Sequence, residues 1–387
     1  MTAKPLNGLR VLDLTRYLAG PYCTMLLGDL GAEVLKIEPP GTGDPVRTQG
    51  PPFSDGEGIT FLATNRNKRS LSVDFKDAGA LARLRELAAR ADVLIENFRP
   101  GVVNKYQIDY ESLRHANPRL IYASISGMGA DGPQSEERAF DVTIQAMGGY
   151  MSITGEKDRP PVKLGTSGFD IIAGMNTFSG ILVALLERGV TGQGQHVETS
   201  LLEGEVAFLA NSAMEYLLGF GVPGKLGSEH SQLVPYRAFE TRDGWIIIGA
   251  GIQNLFEKLM ITLNRQDLIA HPQFESLAAR LANREQVNTT IEQETKRYLT
   301  SDLAEKLRAG GVPCAPIATI DQVLANPQVL HRQMVVNLPG AAEGRNVTLG
   351  SAVKYSRFDI TEGWTAPPAF NEGGEELARS WLASAKT

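Results

Sequence analysis

One carboxylate, Asp170, lies where a glycine-rich segment leads into an apolar run, and two roles are open to it. Residues 163–174 read KLGTSGFDIIAG, in which Ser167 and Asp170 fit the pattern S-x-x-D. A serine and an acid at this spacing satisfy the free N–H groups at the start of a helix. The other role is catalytic. The local pattern alone favours capping, because capping boxes are much commoner than catalytic carboxylates.

Basic residues in the connections after predicted strands are the second candidate for chemistry. They are Arg16, Arg47, Arg66, Lys68, Arg69, Lys76, Arg99 and Lys105. Taken singly, each is typical of a solvated surface. Ligands of α/β proteins bind beyond the carboxyl ends of the strands, so the group as a whole predicts a phosphorylated small molecule with several charges.

Other familiar site patterns are missing from the sequence. Cys23 and Cys314 have no companions at zinc-site spacing, and the five histidines include no pair at i, i+3 or i+4, so we expect no metal site. The turn TRYLAGP has one glycine where a dinucleotide fingerprint needs three. The segment GTGDP (41–45) lacks the lysine and hydroxyl of a Walker A loop, and no G-x-S-x-G elbow occurs.

Composition indicates a soluble globular protein of two or three domains, or of one large domain with an appendage. The chain has 387 residues, of which 42% are hydrophobic and 21% charged, so a packed core can form. A net charge of −6 argues against an extended polyanion such as DNA as the main partner. The N-terminus MTAKPLNGLR lacks a signal-peptide apolar region, and polar or glycine residues interrupt the apolar run at 171–186. We expect a cytoplasmic protein without a membrane span.

Strand-like and helical segments alternate over the first 130 residues. Predicted strands cover residues 9–15, 33–38, 70–75, 92–98 and 119–127. An amphipathic helix is predicted at 78–91, and a long helix at 168–188 whose glycines suggest close packing against a neighbour. Alternation of this kind predicts a parallel sheet with helices on both faces.

The pattern changes after residue 219. Segment 219–232 is rich in glycine and polar residues, which is typical of a mobile loop or linker. LVPYRAFETRDGWIIIGAG predicts a hairpin with RDG in its turn, and helical segments dominate 252–311. The predicted organisation is a large α/β domain whose first part covers 1–205, a linker at 206–224, a smaller α+β domain at 225–325 and a return segment at 326–387 that completes the large domain.

Seven segments match a known family, in order, along nearly the whole chain. They are LNGLRVLDLTRYLAGPYCTMLLGDLGAEVLKIEPPGTGDPVR, NRNKRSLSVDFK, ADVLIENFRPGV, PRLIYASISGMGADGP, FDVTIQAMGGYMSITG, ILVALLERGVTGQGQHVETSLLE and GVPCAPI. Together they resemble the class III CoA-transferase family, which includes formyl-CoA transferase, the carnitine CoA-transferases and α-methylacyl-CoA racemase. SQLVPYRAFETRDGWIIIGAG and NPQVLHRQM look most like its succinyl-CoA:dicarboxylate (glutarate-type) branch.

The resemblance implies a catalytic role for Asp170. The family's catalytic aspartate ends a G-x-x-x-x-D approach at the start of a long helix, and GTSGFD matches this. Capping and catalysis are compatible, since the positive end of the helix dipole favours the ionised carboxylate. The implied reaction passes through an aspartyl mixed anhydride and an aspartyl-CoA thioester. It exchanges CoA between an acyl-CoA donor such as succinyl-CoA and a small carboxylic acid, for which the glutarate-type branch favours a dicarboxylic acid.

The resemblance also implies how CoA is held. The implied CoA-binding residues are Tyr17, Val73, Phe75, Lys76, Asn97, Phe98, Lys105 and Arg138. Apolar and aromatic faces would enclose the adenine, and lysine or arginine would meet the phosphates. Arg16 and His230 are candidates for binding the acceptor's distal carboxylate, and loop 219–232 for covering the site. No cofactor beyond CoA itself is expected.

The quaternary structure implied by the resemblance is an interlocked homodimer, in which two chains thread through each other. Each chain would have a Rossmann-like large domain and a small domain. Its partners would be acyl-CoA and a small carboxylic acid, with neither nucleic acid nor membrane.

Three positions depart from particular branches of the family. Pro39 stands where some members have a CoA-contacting arginine, and Leu18 where formyl-CoA transferase has a glutamine. Phe140 stands where racemases have the histidine that supplies a second acid or base. Formyl-CoA transfer and racemisation are therefore disfavoured. An acyl-CoA racemase or isomerase and a catalytically idle CoA-binding protein stay open as alternatives, although the retained Asp170 argues against the latter.

Overall fold

The computed structural model describes residues 4–384, which divide into two compact units. The first unit runs up to Tyr150, covers Lys163–Phe220 and resumes at Pro327. The second comprises Met151–Val162 and Gly221–Asn326.

The strands are β1 (Arg10–Asp13), β2 (Glu33–Glu38), β3 (Phe53–Ser54), β4 (Glu57–Gly58), β5 (Lys68–Ser72), β6 (Val93–Glu96), β7 (Ile121–Ser126), β8 (His196–Ser200), β9 (Tyr236–Glu240), β10 (Trp245–Gly249), β11 (Cys314–Pro316), β12 (Val335–Asn337) and β13 (Val347–Leu349). The helices are α1 (Ala19–Asp29), α2 (Ile59–Thr64), α3 (Ala78–Ala88), α4 (Val102–Lys105), α5 (Tyr110–Leu113), α6 (Asp141–Met147), α7 (Tyr150–Ile153), α8 (Gly168–Thr191), α9 (Leu201–Phe208), α10 (Ala210–Leu217), α11 (Gln253–Thr262), α12 (Leu277–Ala282), α13 (Arg284–Thr295), α14 (Thr300–Ala309), α15 (Ile320–Leu324), α16 (Pro327–His331) and α17 (Gly374–Ala383). Short 3-10 helices lie at Pro45–Arg47 and Gln266–Leu268.

A six-stranded parallel sheet forms the centre of the first unit, which confirms the predicted Rossmann-like α/β class. Its strand order is β5-β2-β1-β6-β7-β8. The order reverses between β1 and β6, since the chain builds outward from β1 on one side and then returns to the other. Such a switch point opens a crevice at the carboxyl ends of the strands, where ligands bind in folds of this kind.

Both faces of the sheet are buried, because its strands are apolar on both sides. Val11, Val34 and Ile121 face α1 and α8 in one core cluster. Leu12 and Leu94 face α3, α5 and α17 in the other. Continuous apolar strands of this kind need a helical layer on each face, as the sequence predicted.

Helices α1 and α8 approach each other closely at Gly174. A methyl group added there would lie 2.5 Å from the carbonyl oxygen of Ala19. Only a glycine allows this contact, so the predicted packing role of the α8 glycines is confirmed at this position.

We expect Gly174→Ala to lower the free energy of unfolding by about 1–3 kcal/mol, because the added carbon overlaps backbone that cannot rotate away. Gly189→Ala is the matched control on the same helix, since nothing lies within 4 Å of the position that its added methyl group would occupy. Alanine there should be neutral or stabilise by up to about 1 kcal/mol through helix propensity. Urea unfolding of both variants tests this, and equal stabilities would contradict the close packing.

The C-terminal segment packs on the large sheet. Ser70 of β5 accepts a hydrogen bond from the Asn371 amide through its Oγ (2.9 Å), and its own amide donates to the Glu372 carbonyl (3.0 Å). Trp381 in α17 is buried, and its Nε1 donates to Glu33 Oε2 at 2.7 Å. These contacts tie the segment after Pro327 into the first unit.

The segment predicted as a linker, 206–224, is largely helical. Its residues up to Leu217 belong to α9 and α10 in the first unit, and the change of unit falls at Gly221. Polar and glycine residues dominate only after Leu218, which is why composition placed the linker too early.

The second unit is built on a three-stranded antiparallel sheet of order β11-β10-β9. The predicted hairpin is confirmed as β9–β10, and the Thr241 amide donates to the Gly244 carbonyl across its turn at 2.9 Å. Phe239, Ile246 and Ile248 pack with α11, α13 and α14 in one apolar cluster. The unit is therefore an α+β fold with a core of its own.

Helix α8 is the one helix of the described residues with the length and hydropathy of a membrane span. One such helix does not indicate a membrane span, because core helices of soluble proteins have the same length and hydropathy. Ile181 and Ala184 on α8 are buried against α1 and the sheet. Its opposite face exposes Val183, Leu186 and Val190, at 65%, 76% and 89% respectively.

Candidate active site

A cavity of about 820 Å³ opens beyond the carboxyl ends of the sheet strands, at the switch point between β1 and β6. It is lined entirely by residues of the first unit. Nine of the eleven site residues predicted from the sequence line it: Arg16, Tyr17, Val73, Phe75, Lys76, Asn97, Phe98, Arg138 and Asp170. The topology thus brings together side chains from several strand exits and from the start of α8.

The other two predicted residues lie elsewhere. Lys105, in α4, is exposed and its ammonium lies 5.5 Å from the ring centroid of Tyr106, which does line the cavity. His230 belongs to the second unit, where its ring packs edge-on against Tyr236 and its Nδ1 accepts from the Gln232 amide. The proposed roles of both residues stay predictions.

The start of α8 is capped by an aspartate from another helix. Asp141 Oδ1 accepts the backbone N–H groups of Phe169 (2.9 Å) and Asp170 (3.3 Å). Ser167, the N-cap residue, makes no side-chain capping bond within the described residues. The capping role predicted for Ser167 and Asp170 is therefore wrong. Because Asp141 satisfies the helix start, the Asp170 carboxylate is left to line the cavity.

The cap is itself fixed by Gln145, one turn along α6. Gln145 Nε2 donates to Asp141 Oδ2, and Gln145 Oε1 accepts from the Leu164 amide at 2.7 Å. The side chain of Leu164 packs on Gly168, where an added methyl would come within 2.5 Å of Leu164 Cδ2. The approach segment and the first turn of α8 thus form one hydrogen-bonded and packed arrangement around Asp170.

Burial, followed by the negative charge of Asp141, raises the pKa of Asp170 to about 7. The expectation that the helix dipole would favour the ionised form is therefore outweighed by these two effects. A carboxylate that titrates near neutrality is protonated in part at pH 7, and the protonated fraction cannot act as a nucleophile. The pH therefore decides what fraction of Asp170 is ionised.

The family resemblance implies that Asp170 is the nucleophile. With Asp170 in that role, we expect the rate to rise with pH through about 7, because only an ionised carboxylate can attack. Below that value kcat/KM for the implied acyl-CoA donor should fall about tenfold per pH unit, and above it the rate should level off. Initial rates between pH 5 and 9 test this. A profile that is flat from pH 5 to pH 8 would contradict the shifted pKa.

The exits of β1 and β6 are held together by Asn97. Its Oδ1 accepts from the Arg16 amide (2.9 Å) and its Nδ2 donates to the Arg16 carbonyl (2.8 Å). Tyr17, the residue after Arg16, has a φ of +67°, and its backbone amide donates to Asp44 Oδ1 at 3.2 Å. Asn97 therefore positions the loop that presents Tyr17 to the cavity, and its amide group is already used in doing so.

Aromatic rings form one wall of the cavity. The centroid of Phe75 lies 6.1 Å from that of Phe98 and 5.3 Å from that of Tyr106. The Arg16 guanidinium lies over Phe98, 5.0 Å from its centroid. Faces of this kind suit a flat heterocycle such as adenine, with cations beside it for phosphate groups.

Three of the eight basic residues predicted to bind phosphates are buried in ion pairs instead. Arg47 pairs with Glu38 at 2.7 Å, Arg66 with Asp29 at 2.6 Å and Lys68 with Asp13 at 3.1 Å. They stabilise the sheet edge and its loops. Arg16, Lys76 and Arg99 do line the cavity, while Arg69 is exposed beside Gly373.

The pairing around Asp13 is strong enough to reverse the effect of burial. Burial alone would raise the pKa of Asp13, but Lys68 and Lys36 hold it down to about 2. Lys36 also donates to the Thr15 carbonyl (2.8 Å) and pairs with Asp44 (2.9 Å). These buried contacts of Lys36 and Lys68 therefore hold the chain in place where it leaves β1.

Sequence reasoning missed the role of two site residues, Asp141 and Gln145. The two residues are four positions apart in FDVTIQ, and side chains at this spacing lie on the same face of a helix. That spacing was the available signal in the sequence. Lys163 also lines the cavity, although it had no assigned role.

Comparison with known proteins agrees with this arrangement. Residues 6–373 match the family described as CoA-transferase family III. The chain belongs to the class III CoA-transferase family, which confirms the resemblance seen in the sequence.

Named relatives and a solved structure support the same placement. The chain is 38% identical over 364 residues to succinyl-CoA:glutarate CoA-transferase of Homo sapiens, covering 94% of this chain and 83% of the relative. It is 40% identical over 340 residues to succinate--glutarate CoA-transferase of Agrobacterium fabrum, covering 86% and 85%. The crystal structure of a CAIB/BAIF family protein from Brucella suis superposes with a TM-score of 0.89 at 39% identity, covering 98% of this chain and all of that one.

Proposed function

We propose that this protein transfers CoA from succinyl-CoA to a small dicarboxylic acid. The observation that carries the proposal is the Asp170 carboxylate, which lies in the first turn of α8 and lines the same cavity as the aromatic and basic side chains. Relatives named as succinyl-CoA:glutarate CoA-transferases support the choice of donor and of acceptor class.

The proposed mechanism is a double exchange on Asp170. Its carboxylate attacks the thioester carbonyl of succinyl-CoA, the C–S bond breaks, and an aspartyl-succinyl anhydride and CoA thiolate form. The thiolate then attacks the aspartyl carbonyl, releasing succinate and leaving an aspartyl-CoA thioester. The acceptor carboxylate attacks that thioester and expels the thiolate again. Attack of the thiolate on the acceptor's carbonyl gives the new acyl-CoA and restores Asp170.

The proposed CoA subsite lies along the aromatic wall. Phe75, Phe98 and Val73 would contact the adenine, and Lys76 and Arg138 the phosphate groups, since all five line the cavity. Tyr17 also lines it, with its ring 6.3 Å from that of Phe140. Roles for Lys105 at the margin and for loop 219–232 as a cover are proposed on the family resemblance.

We propose a homodimer as the working form. Support comes from the apolar face of α8, with Val183, Leu186 and Val190 exposed, and from exposed Leu217 and Phe220 at the end of α10 and beyond it. Exposed apolar side chains grouped on one helix face are typical of a protein–protein interface. An interlocked arrangement and a cytoplasmic location are proposed on the resemblance and on the sequence.

The racemase alternative lacks its second acid or base. Phe140 occupies the position of the racemase histidine, and both oxygens of the neighbouring Asp141 are engaged by α8 amides or by Gln145. Proton exchange at both faces of an α-carbon needs two such groups.

The direct test is product formation from succinyl-CoA and a panel of acids of two to six carbons, followed by liquid chromatography with mass detection. We expect a dicarboxylic acid such as glutarate to yield its CoA thioester with one succinate released per thioester formed. Hydrolysis of succinyl-CoA without a new thioester, or transfer to monocarboxylic acids alone, would contradict the proposal.

A further inference from the structure

The lysine and arginine side chains that line the cavity lie in different surroundings. Five lysine and arginine residues line it: Arg16, Lys76, Arg99, Arg138 and Lys163. The Arg16 guanidinium lies over Phe98, and Lys76 and Arg99 are the chain neighbours of Phe75 and Phe98, the residues of the aromatic wall. Lys163 comes instead from the approach to α8.

The backbone beside Lys163 is fixed next to the nucleophile. The Leu164 amide donates to Gln145 Oε1, Gln145 holds Asp141, and Asp141 accepts the amide of Asp170. The side chain of Leu164 packs directly on Gly168, two residues before Asp170. Lys163 is thus anchored to the first turn of α8 by a hydrogen-bond chain and by a packing contact.

The ammonium group of Lys163 has donors available for a ligand. Its Nζ donates to the neighbouring Leu164 carbonyl at 3.0 Å in an exposed, local bond, and no acidic side chain among the described residues forms an ion pair with it. An ammonium carries three donor hydrogens, and it binds carboxylates as a compact point charge.

A dicarboxylic substrate needs a cation in this place. One of its carboxylates reacts at Asp170, while the other keeps its charge close to Asp170 and Asp141. In a five-carbon diacid the two carboxyl carbons lie about 5 Å apart, given four C–C bonds of about 1.5 Å, and an extended lysine side chain spans a similar distance. Unpaired charges of one sign at such distances are costly in a partly desolvated cavity.

We propose that Lys163 forms the subsite for the free carboxylate of the dicarboxylic acid, both in the succinyl group of the donor and in the acceptor. This inference rests on the proposed function and names the side chain that selects diacids over monoacids. Lys163 is a binding residue in it, and Asp170 remains the nucleophile.

Kinetics of Lys163→Gln with succinyl-CoA and glutarate test the subsite, since glutamine keeps much of the length of the side chain and removes its charge. We expect KM for glutarate to rise about 10- to 100-fold, because a charge-assisted hydrogen bond is lost, with a smaller change in kcat. Lys163→Arg should restore KM to within a few-fold. Lys157→Gln, the same substitution at an exposed lysine that does not line the cavity, is the matched control and should leave KM for glutarate unchanged.

Calorimetric titration of the CoA-loaded protein supplies a readout independent of turnover. Wild-type protein should bind glutarate more tightly than pentanoate, and Lys163→Gln should bind the two alike. An unchanged glutarate KM and affinity in Lys163→Gln, or equal losses for glutarate and for CoA, would overturn the subsite while the proposed function stands. Wild-type transfer to monocarboxylic acids alone would overturn the proposed acceptor class and the subsite together.

Discussion

Replacing Asp170 by alanine should reduce CoA transfer by about 10⁴-fold or more, because it removes the carboxylate that forms the anhydride and thioester in the proposed mechanism. Asp170→Asn should fail equally, since an amide of the same shape is not a nucleophile. Neither variant should lose much stability, because Asp141 caps α8. Initial rates with succinyl-CoA and glutarate, together with thermal unfolding, measure both effects.

The matched control is Asp131→Ala, the same substitution at an exposed loop aspartate that does not line the cavity. It should keep full activity. Substantial transfer by a folded Asp170→Ala protein would show that another nucleophile, or direct attack by the acceptor, carries the reaction.

Asp141→Asn should have two separable effects on the first turn of α8. The neutral amide is a weaker acceptor for the Phe169 and Asp170 amides, so we expect a loss of about 1–3 kcal/mol in the free energy of unfolding. The weaker cap should also shift Asp170, the proposed nucleophile, from its position, which should lower kcat by about 10- to 100-fold.

The second effect of Asp141→Asn concerns pH. The charge of Asp141 helps to raise the pKa of Asp170, so its removal should move the acidic limb of the pH–rate profile to lower pH. A purely structural cap would lower the rate without moving that limb. Rates from pH 5 to 9 for the wild type, Asp141→Asn and the control Asp131→Asn distinguish the two, and an unmoved limb would contradict the electrostatic coupling.

The sheet was predictable because its strands carry their own signal. Successive residues of a strand point to opposite faces of the sheet, and both members of the pairs Val11–Leu12 and Val34–Leu35 are apolar. Only a sheet covered on both sides can bury such strands. The position of the cavity beyond the carboxyl ends of the strands was expected from the alternating pattern, and a six-residue motif singled out Asp170, which lines the cavity.

What the sequence could not supply was the partner of each charged or polar group. Arg66 and Lys68 were placed among the residues that follow strands, but they lie just before and at the start of β5, where Asp29 and Asp13, far back in the chain, neutralise them. A single sequence contains no record of such pairs, because burial and pairing are set by packing across the sheet.

The same limit applies to the helix cap. Ser167 and Asp170 fit a local capping pattern, but Asp141, nearly thirty residues earlier, accepts the amides instead. A local pattern states which bonds are possible, and the tertiary fold decides between donors and acceptors that compete for them. Asn97, for which binding to CoA stays a prediction, lines the cavity and also holds Arg16 through its amide group, a second contact that no local pattern indicated.

In the proposed mechanism, Asp170 becomes covalently bound to CoA in every turnover. Intact-protein mass spectrometry after mixing with succinyl-CoA, for the wild type and Asp170→Ala in parallel, tests it most directly. We predict an adduct on the wild type with the mass of CoA less one water, removed by hydroxylamine and absent from Asp170→Ala. An adduct of equal yield on both proteins, or a wild type that turns over glutarate while no hydroxylamine-labile species can be trapped, would contradict the account.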